Sequence, residues 1–536
     1  MAASHVHTNT RVRLTQPTTQ QSRPRSRSVR NRALPDGGAP SGLPAIFSSI
    51  FSKPATSSES PSSMGQKQAS RSSTFADTAP SWESIQSSAQ RILDKHSLKA
   101  TWDYETGAPS PWATKRTFGD GANRVTFYRD SASWCPYSQK CWLLLEEKRV
   151  SYDVKKINMR CYGDKPASFL RLNPSGTLPA AVIEGRELTD SSDIVRALEA
   201  TFPETPMMPP ENTRARVLAD QLLRLERGVF SAWMRHVTSG WNDDENRMGV
   251  ELALQAVEDA LASTPGPYFL GARVEGATED EASPNDDGFS YVDIAFAPFL
   301  ERLAASELYF KGMAVRAPPG DGRPWPYLNA WYDAMESRPT YYSTRSDFYT
   351  SAYDLPPQLG GCAESKEGTS ARQAIDGGEW TRDVAAGNSE SVEYVNSPPE
   401  LRNAPPEAHA AMAVARVALN AKAVARFAAR GALPRGSSPK PVSAPLSDPS
   451  AEEIVQEQAA AAADAAIRRA LLRLLPSDER EEDEGTGSEK KHDAAVGIAS
   501  MQYLQRRVGV PRDMPLEAAR WLRAALGEEM EELSSK

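Results

Sequence analysis

Cys135 stands in the run Ser133-Trp134-Cys135-Pro136-Tyr137-Ser138, directly behind a β-rich stretch, Val125-Thr-Phe-Tyr-Arg129. A proline is tolerated at the first helical position because its missing N–H has no partner there anyway. The cysteine is therefore placed between the end of a strand and the first turn of a helix. A thiolate at that position meets unpaired backbone N–H groups and the positive end of the helix dipole, so the spacing predicts a lowered thiol pKa and a redox role. An inert buried thiol is the competing reading of the same residues. Ser138 stands where a dithiol motif would carry its second cysteine. Cys141, six residues on and about 240° around the helix, falls on the apolar stripe and reads as packing. The chemistry is then that of a single thiol: attack on a disulfide or another electrophile, a mixed disulfide, and resolution by a second small thiol.

The elements that must hold this cysteine are legible around it. After Pro136, Tyr137, Cys141, Leu144 and Leu145 follow a helical period to about residue 148. A strand over 152–158, a short helix over 166–172 and a hairpin around Glu184-Gly185 come next. A helix over 192–201 is capped by Asp190 or Ser191. The order βαβαββα makes an α/β unit. Beyond residue 210 the period is helical throughout, over 214–236, 245–262, 290–307 and 326–337, an all-α unit. Ser290-Tyr-Val-Asp293 reads as a capping box.

Composition bounds the rest. Four Cys cannot build a disulfide framework, six scattered His offer no zinc spacing, and no metal site is expected. No apolar run is long enough to span a membrane. The net charge is −8, yet residues 1–75 carry ten Lys or Arg against two acids, so the remainder is strongly acidic and a poor match for nucleic acid. Seven Arg, many Ser and Thr and no acid within residues 1–35 are the composition of an organellar transit peptide, addressed to a chloroplast, with a mitochondrion as the alternative. The domains expected are a leader over 1–75, a linker over 76–120, the α/β unit over 121–203 and the all-α unit over 204–340. An aromatic extension over 341–362, a linker over 363–403 and an Ala-rich helical extension over 404–536 with spacers complete the chain. One shared core is expected, and thin Ala stripes need something to pack on.

Cys135-Pro-Tyr-Ser138, Leu178-Pro179 ahead of a strand, and Asp190-Ser191 at a helix start together resemble the thioredoxin-like domain of cysteine-type glutathione transferases. In that family it is followed by an all-helical domain, and the resemblance covers about 125–338. Ser346-Asp-Phe-Tyr349, Asp354-Leu-Pro-Pro-Gln-Leu-Gly-Gly-Cys362 and Val508-Gly-Val-Pro-Arg-Asp513 are similar to the C-terminal extension of the iota class of photosynthetic organisms, which fits a plastid. The resemblance implies glutathione as co-substrate, a cis bond before Pro179, and pairing of the Leu178 backbone with the cysteinyl part of glutathione. It further implies Asp190 and Ser191 at the γ-glutamyl group, Lys165 at the glycyl carboxylate, and Tyr137 within the glutathione site. Trp134 and Tyr137 flank the thiol, and each ring reads either as a wall for an apolar co-substrate or as core. A flavin rests on the resemblance alone, and pairing as a homodimer is compatible with it.

The resulting expectation is a glutathione-dependent thiol oxidoreductase with Cys135 as nucleophile. Its reaction would be deglutathionylation, thiol transfer or a dehydroascorbate-type reduction of a small electrophile or disulfide. The alternative is a non-catalytic ligand- or cofactor-binding protein on the same fold, for which the long extension argues.

Overall fold

A computed structural model describes residues 79–99, 105–159, 164–273, 278, 280, 283–378, 380–433, 455–476 and 491–535; the proposed leader lies outside them. Helix α1, Trp82–Lys95, opens the described chain with Ser81 accepting from the Ser84 amide. Strand β1, Lys115–Arg116, follows, then β2, Val125–Asp130; α2, Pro136–Glu147; β3, Tyr152–Ile157; and α3, Ala167–Leu172. Strands β4, Ala180–Ile183, and β5, Arg186–Leu188, precede α4, Ser191–Thr201. The sheet order is β1-β3-β2-β4-β5. β2 runs parallel to β3 and antiparallel to β4, with Phe127 opposite Val154 on one side and Ala181 on the other. Glu184 and Gly185 both take positive φ, as a two-residue hairpin turn matched to strand twist requires.

The helical layer comprises α5, Arg214–Thr238; α6, Asp243–Ala262; α7, Tyr291–Lys311; and α8, Pro326–Glu336. The Ser290–Asp293 capping box is present, and every residue of α7 is buried. Thus α7 is the axis against which α2, α5 and the following segments pack. The fold is a thioredoxin-like α/β domain joined to an all-helical domain.

The following short elements are α9, Pro339–Tyr342, and α10, Phe348–Leu359; α11, Thr369–Gln373, continues into a π-helical turn, Ala374–Gly378; α12, Arg382–Ala385, and α13, Pro399–Arg402, come next. Residues 363–403, read as a polar linker, are therefore packed structure. Ile375 and Val384 are buried, and Glu393 pairs with the buried Arg345 at 3.0 Å. A Cβ on Gly312, at the end of α7, would lie 2.3 Å from the Glu367 carbonyl, so only glycine lets this segment lie against the helix. Its polar composition hid the packing because most of its charged side chains do face solvent, while Ile375, Val384 and the paired Glu393 turn inward.

The second reading as linker, 76–120, is corrected in the same way. Ile85, Ala89 and Leu93 recur every fourth residue on α1 and are buried. They lie with α14, Pro406–Ala418; α15, Ala421–Ala428; α16, Glu457–Leu472; α17, Lys491–Gln505; and α18, Leu516–Ser535, in a hydrophobic cluster of their own. The expected single core is thus two large clusters, one in the α/β and helical layers and one in the extension, plus a small third under α3. Helices α14 and α15 are separate because Asn420 leaves helical geometry at φ −137°. α1 reaches the far end of the chain: Trp82 Nε1 donates to Asp464 at 2.8 Å, and Arg468 donates to the Ala79 and Pro80 carbonyls. Among the described residues no helix is long and apolar enough to cross a membrane.

Candidate active site

Where β2 ends, the chain turns through Ser131 to Trp134, with Ser133 at φ 57°. The turn is held from three sides. Asp130 Oδ2 accepts from the Trp134 amide at 2.6 Å. Arg129, fully buried, donates to Ser133 Oγ at 2.7 Å and to the Pro111 carbonyl at 2.7 Å, with its guanidinium 4.4 Å over the Trp142 ring. From α7, Arg302 donates through Nε at 3.1 Å and again through Nη2 to the Trp134 carbonyl; its Nη1 reaches Gln139 Oε1 at 2.9 Å. Gln139 in turn donates to Glu301 at 3.1 Å.

Cys135 is the N-cap of α2, with Pro136 as its first residue. The thiol is partly exposed and lies 3.7 Å from the Leu178 carbonyl. The Leu178–Pro179 peptide is cis, and Leu178 packs on the cluster of Ile157, Phe169 and Ala180.

The thiol pKa runs against the expectation from the helix dipole. Burial, reinforced by the Asp130 carboxylate, pushes it up to about 11; the Ser138 hydroxyl and the Ser138 and Tyr137 amides pull the other way without prevailing. A helix start supplies partial charge, but removing the sulfur from water disfavours the anion more. Cys141 is fully buried and donates to the Ser191 carbonyl at 3.8 Å, its pKa raised by burial.

The other residues singled out in the sequence are placed as follows. Trp134 is 4% exposed beneath Arg302, whose guanidinium sits 4.9 Å from its ring. It belongs to the hydrophobic cluster of the α/β and helical layers. Tyr137 is half-buried, edge-on to Phe299 at 5.3 Å, with its hydroxyl accepting from Arg227 at 3.4 Å. Asp190 caps α4, its Oδ1 accepting from the Ser192 and Asp193 amides at 2.8 and 3.3 Å, and Ser191 is the first helical residue. The Cys141 contact ties that helix start to α2. Lys165 donates to the Asn158 carbonyl and lies 5.8 Å over Phe169, while Asn158 Oδ1 accepts from Ser131 in the turn ahead of Cys135 at 3.0 Å.

Sequence reasoning missed Asp130, Arg129, Arg302 and Arg227. Asp130 was within reach, as an acid at the end of the strand that feeds the cysteine turn. Arg302 and Arg227 carry no local signal, because they reach Trp134 and Tyr137 from 168 and 90 positions away; Arg129 meets Ser133 four residues on, a contact that its place in a strand does not announce. Among the described residues no group of His, Cys, Asp and Glu is arranged to hold a metal.

Comparison with known proteins was made against this geometry. Residues 134–201 match the family described as glutathione S-transferase, N-terminal domain. The glutathione S-transferase DHAR2 of Arabidopsis thaliana is 27% identical over 181 residues, covering 34% of this chain and 72% of the relative. The probable cytosolic glutathione S-transferase DHAR1 of Oryza sativa subsp. japonica is 26% identical over 218 residues, covering 40% of this chain and 86% of the relative. The crystal structure of Chlamydomonas reinhardtii dehydroascorbate reductase aligns at 19% identity and TM-score 0.31, over 43% of this chain and 94% of that one. The domain match and the two relatives are likenesses to glutathione transferases, and each leaves the larger part of this chain outside it.

Proposed function

We propose that the chain is a glutathione-dependent thiol oxidoreductase whose nucleophile is Cys135. The observation that carries this reading is the placement of the thiol, at the first turn of α2 and 3.7 Å from the carbonyl ahead of a cis proline. In the proposed cycle the Cys135 thiolate attacks the glutathione sulfur of a glutathionylated disulfide. The S–S bond breaks, the partner leaves as a thiolate, and Cys135 is left in a mixed disulfide with glutathione. A second glutathione thiolate attacks that glutathione sulfur, releasing oxidised glutathione and the Cys135 thiolate. Leu178 and Pro179 would take the cysteinyl part of glutathione, Asp190 and Ser191 the γ-glutamyl group, and Lys165 the glycyl carboxylate, with Tyr137 lining the site.

Because burial holds Cys135 protonated at neutral pH, the reaction draws on a small thiolate fraction, and the Ser138 hydroxyl with the amides of Ser138 and Tyr137 are the groups that favour it. The dehydroascorbate reductase among the structural likenesses supports a reductive assignment. The iota class and a homodimer rest on the resemblance in the sequence. A plastid location draws support from relatives named as chloroplastic. A flavin has no such support and enters no step. Intact-mass spectrometry of the full chain after exposure to oxidised glutathione tests the reading: one glutathione adduct is expected, lost in Cys135→Ser. A wild-type chain without the adduct would overturn it and leave the ligand-binding alternative.

A further inference from the structure

Strand β3 carries Tyr152, Val154 and Lys156 on one face, and the first two lie in the core opposite Val125 and Phe127 of β2. The two-residue period of a strand turns Lys156 the same way. Its neighbour across the parallel pair is Arg129, whose fully buried guanidinium shares that face. Two cations thus stand side by side at positions where the strands otherwise carry apolar residues. Arg129 has donors on the Ser133 hydroxyl and on the Asp130 and Pro111 carbonyls. Among the described residues the amine of Lys156 makes no hydrogen bond and no ion pair.

Lys156 is half-buried, and its nitrogen keeps access to solvent. β1 pairs only with Tyr152 and Asp153, so on that side β3 has no paired strand at Lys156. Partial burial without an acceptor and a guanidinium alongside both disfavour the ammonium form. An ordinary lysine, with a pKa near 10.4, is uncharged in fewer than about one in a thousand copies at neutral pH. Burial first, and Arg129 second, pull Lys156 down to about 7, so about half of its copies carry a free lone pair there. Lys155, the next residue, turns to the other face and is exposed.

We propose that Lys156 is a carbamylation site for dissolved carbon dioxide. The lone pair of the amine attacks the carbon of carbon dioxide, one C–O π pair moves onto oxygen, and the nitrogen releases a proton to solvent, which leaves a carbamate anion on Nζ. Two features of the site select this electrophile. Carbon dioxide is small and uncharged, so it meets a half-buried amine at less steric cost than a bulky acyl donor. Its adduct also replaces a cation beside the Arg129 guanidinium with an anion, turning a repulsion into an attraction. The site does not rest on the Cys135 reading.

The test equilibrates the full chain at neutral pH with isotopically labelled carbon dioxide, ethylates carbamates with triethyloxonium, and maps the adducts by peptide mass spectrometry. Carbon NMR of the same sample reads the carbamate without the trapping reagent. Expected are an ethyl carbamate at least tenfold more abundant on Lys156 than on Lys155, and a carbamate resonance that saturates with carbon dioxide, disappears on degassing and is lost in Lys156→Arg. As much adduct on Lys155 as on Lys156, or no carbamate resonance that Lys156→Arg removes, would overturn the assignment. Thermal denaturation checks that Lys156→Arg folds, and if it does not, the comparison of Lys156 with Lys155 on the wild-type chain decides.

Discussion

Arg302 donates two hydrogen bonds to the carbonyl of Trp134, the residue immediately ahead of the candidate nucleophile, from a helix 168 positions further along the chain. The all-helical domain therefore fixes the backbone from which the thiol projects. Replacing Arg302 by Met leaves the Trp134 and Pro298 carbonyls and Gln139 Oε1 without their shared donor. The expected loss is about 3 kcal/mol from the desolvated acceptors, read as a lower urea midpoint at unchanged slope. A stability within about 0.5 kcal/mol of wild type would show that the clamp is dispensable.

The thiol itself should titrate late. Alkylation of Cys135 by iodoacetamide is expected to rise about tenfold per pH unit through neutral pH and level off near pH 11. The folded pKa lies above the unfolded value of about 8.5, so this group's contribution to stability is whole below that pH and is lost as pH rises toward 11. A plateau already reached at or below pH 8 would show that the helix dipole outweighs burial after all.

Asp130 separates charge from geometry at this site. Asp130→Asn keeps an acceptor for the Trp134 amide but removes the carboxylate that, after burial, raises the thiol pKa. Alkylation at pH 8 should therefore quicken by roughly threefold or more, the effect of half a pKa unit. An unchanged or slower rate would mean that the anion has no hold on the sulfur.

The extension is tied in by Arg523, whose guanidinium pairs with Asp347 at 2.8 Å, each side chain 2% exposed. Burial alone would raise the Asp347 pKa; Arg523 and Thr350 overcome it and hold the carboxyl below its ordinary value. That contribution is present above pH 4 or so and is lost as pH falls through the depressed folded value. Arg523→Met should cost about 3–5 kcal/mol near neutral pH by stranding a buried carboxylate. Denaturant midpoints of the two proteins should converge as pH falls and Asp347 in the variant takes up its proton. A gap constant with pH would mean that packing, not charge, is what Arg523 supplies.

Legibility in the sequence followed the range of the interactions. The helix after Pro136, the Asp190 cap and the Ser290–Asp293 box are all written within four residues, and the structure forms each of them. Cys135 and the cis Pro179 were legible as a motif, although the thiol and its Leu178 partner stand 43 positions apart. Arg302 was not legible, because an arginine in a largely apolar helix does not declare a partner 168 positions away. The thiol pKa was misjudged because the dipole is visible in the sequence and the burial that opposes it is not. Residues 363–403 looked like linker because Glu393 and Arg345 are each polar by type, and only their pairing makes them interior.

The contact between α1 and α16 bears on how the chain is made. Trp82 leaves the ribosome nearly 400 residues before Asp464, its hydrogen-bond partner. The thioredoxin-like and helical domains have all their own strands and helices by then, whereas Ile85, Ala89 and Leu93 have no surface to cover until α14, more than 300 residues further on, is synthesised. Such distant contacts form slowly, and exposed apolar segments that wait for them are prone to aggregate. A nascent chain released early, or a message truncated before α14, would leave this helix without its seat while the α/β domain stands assembled beside it.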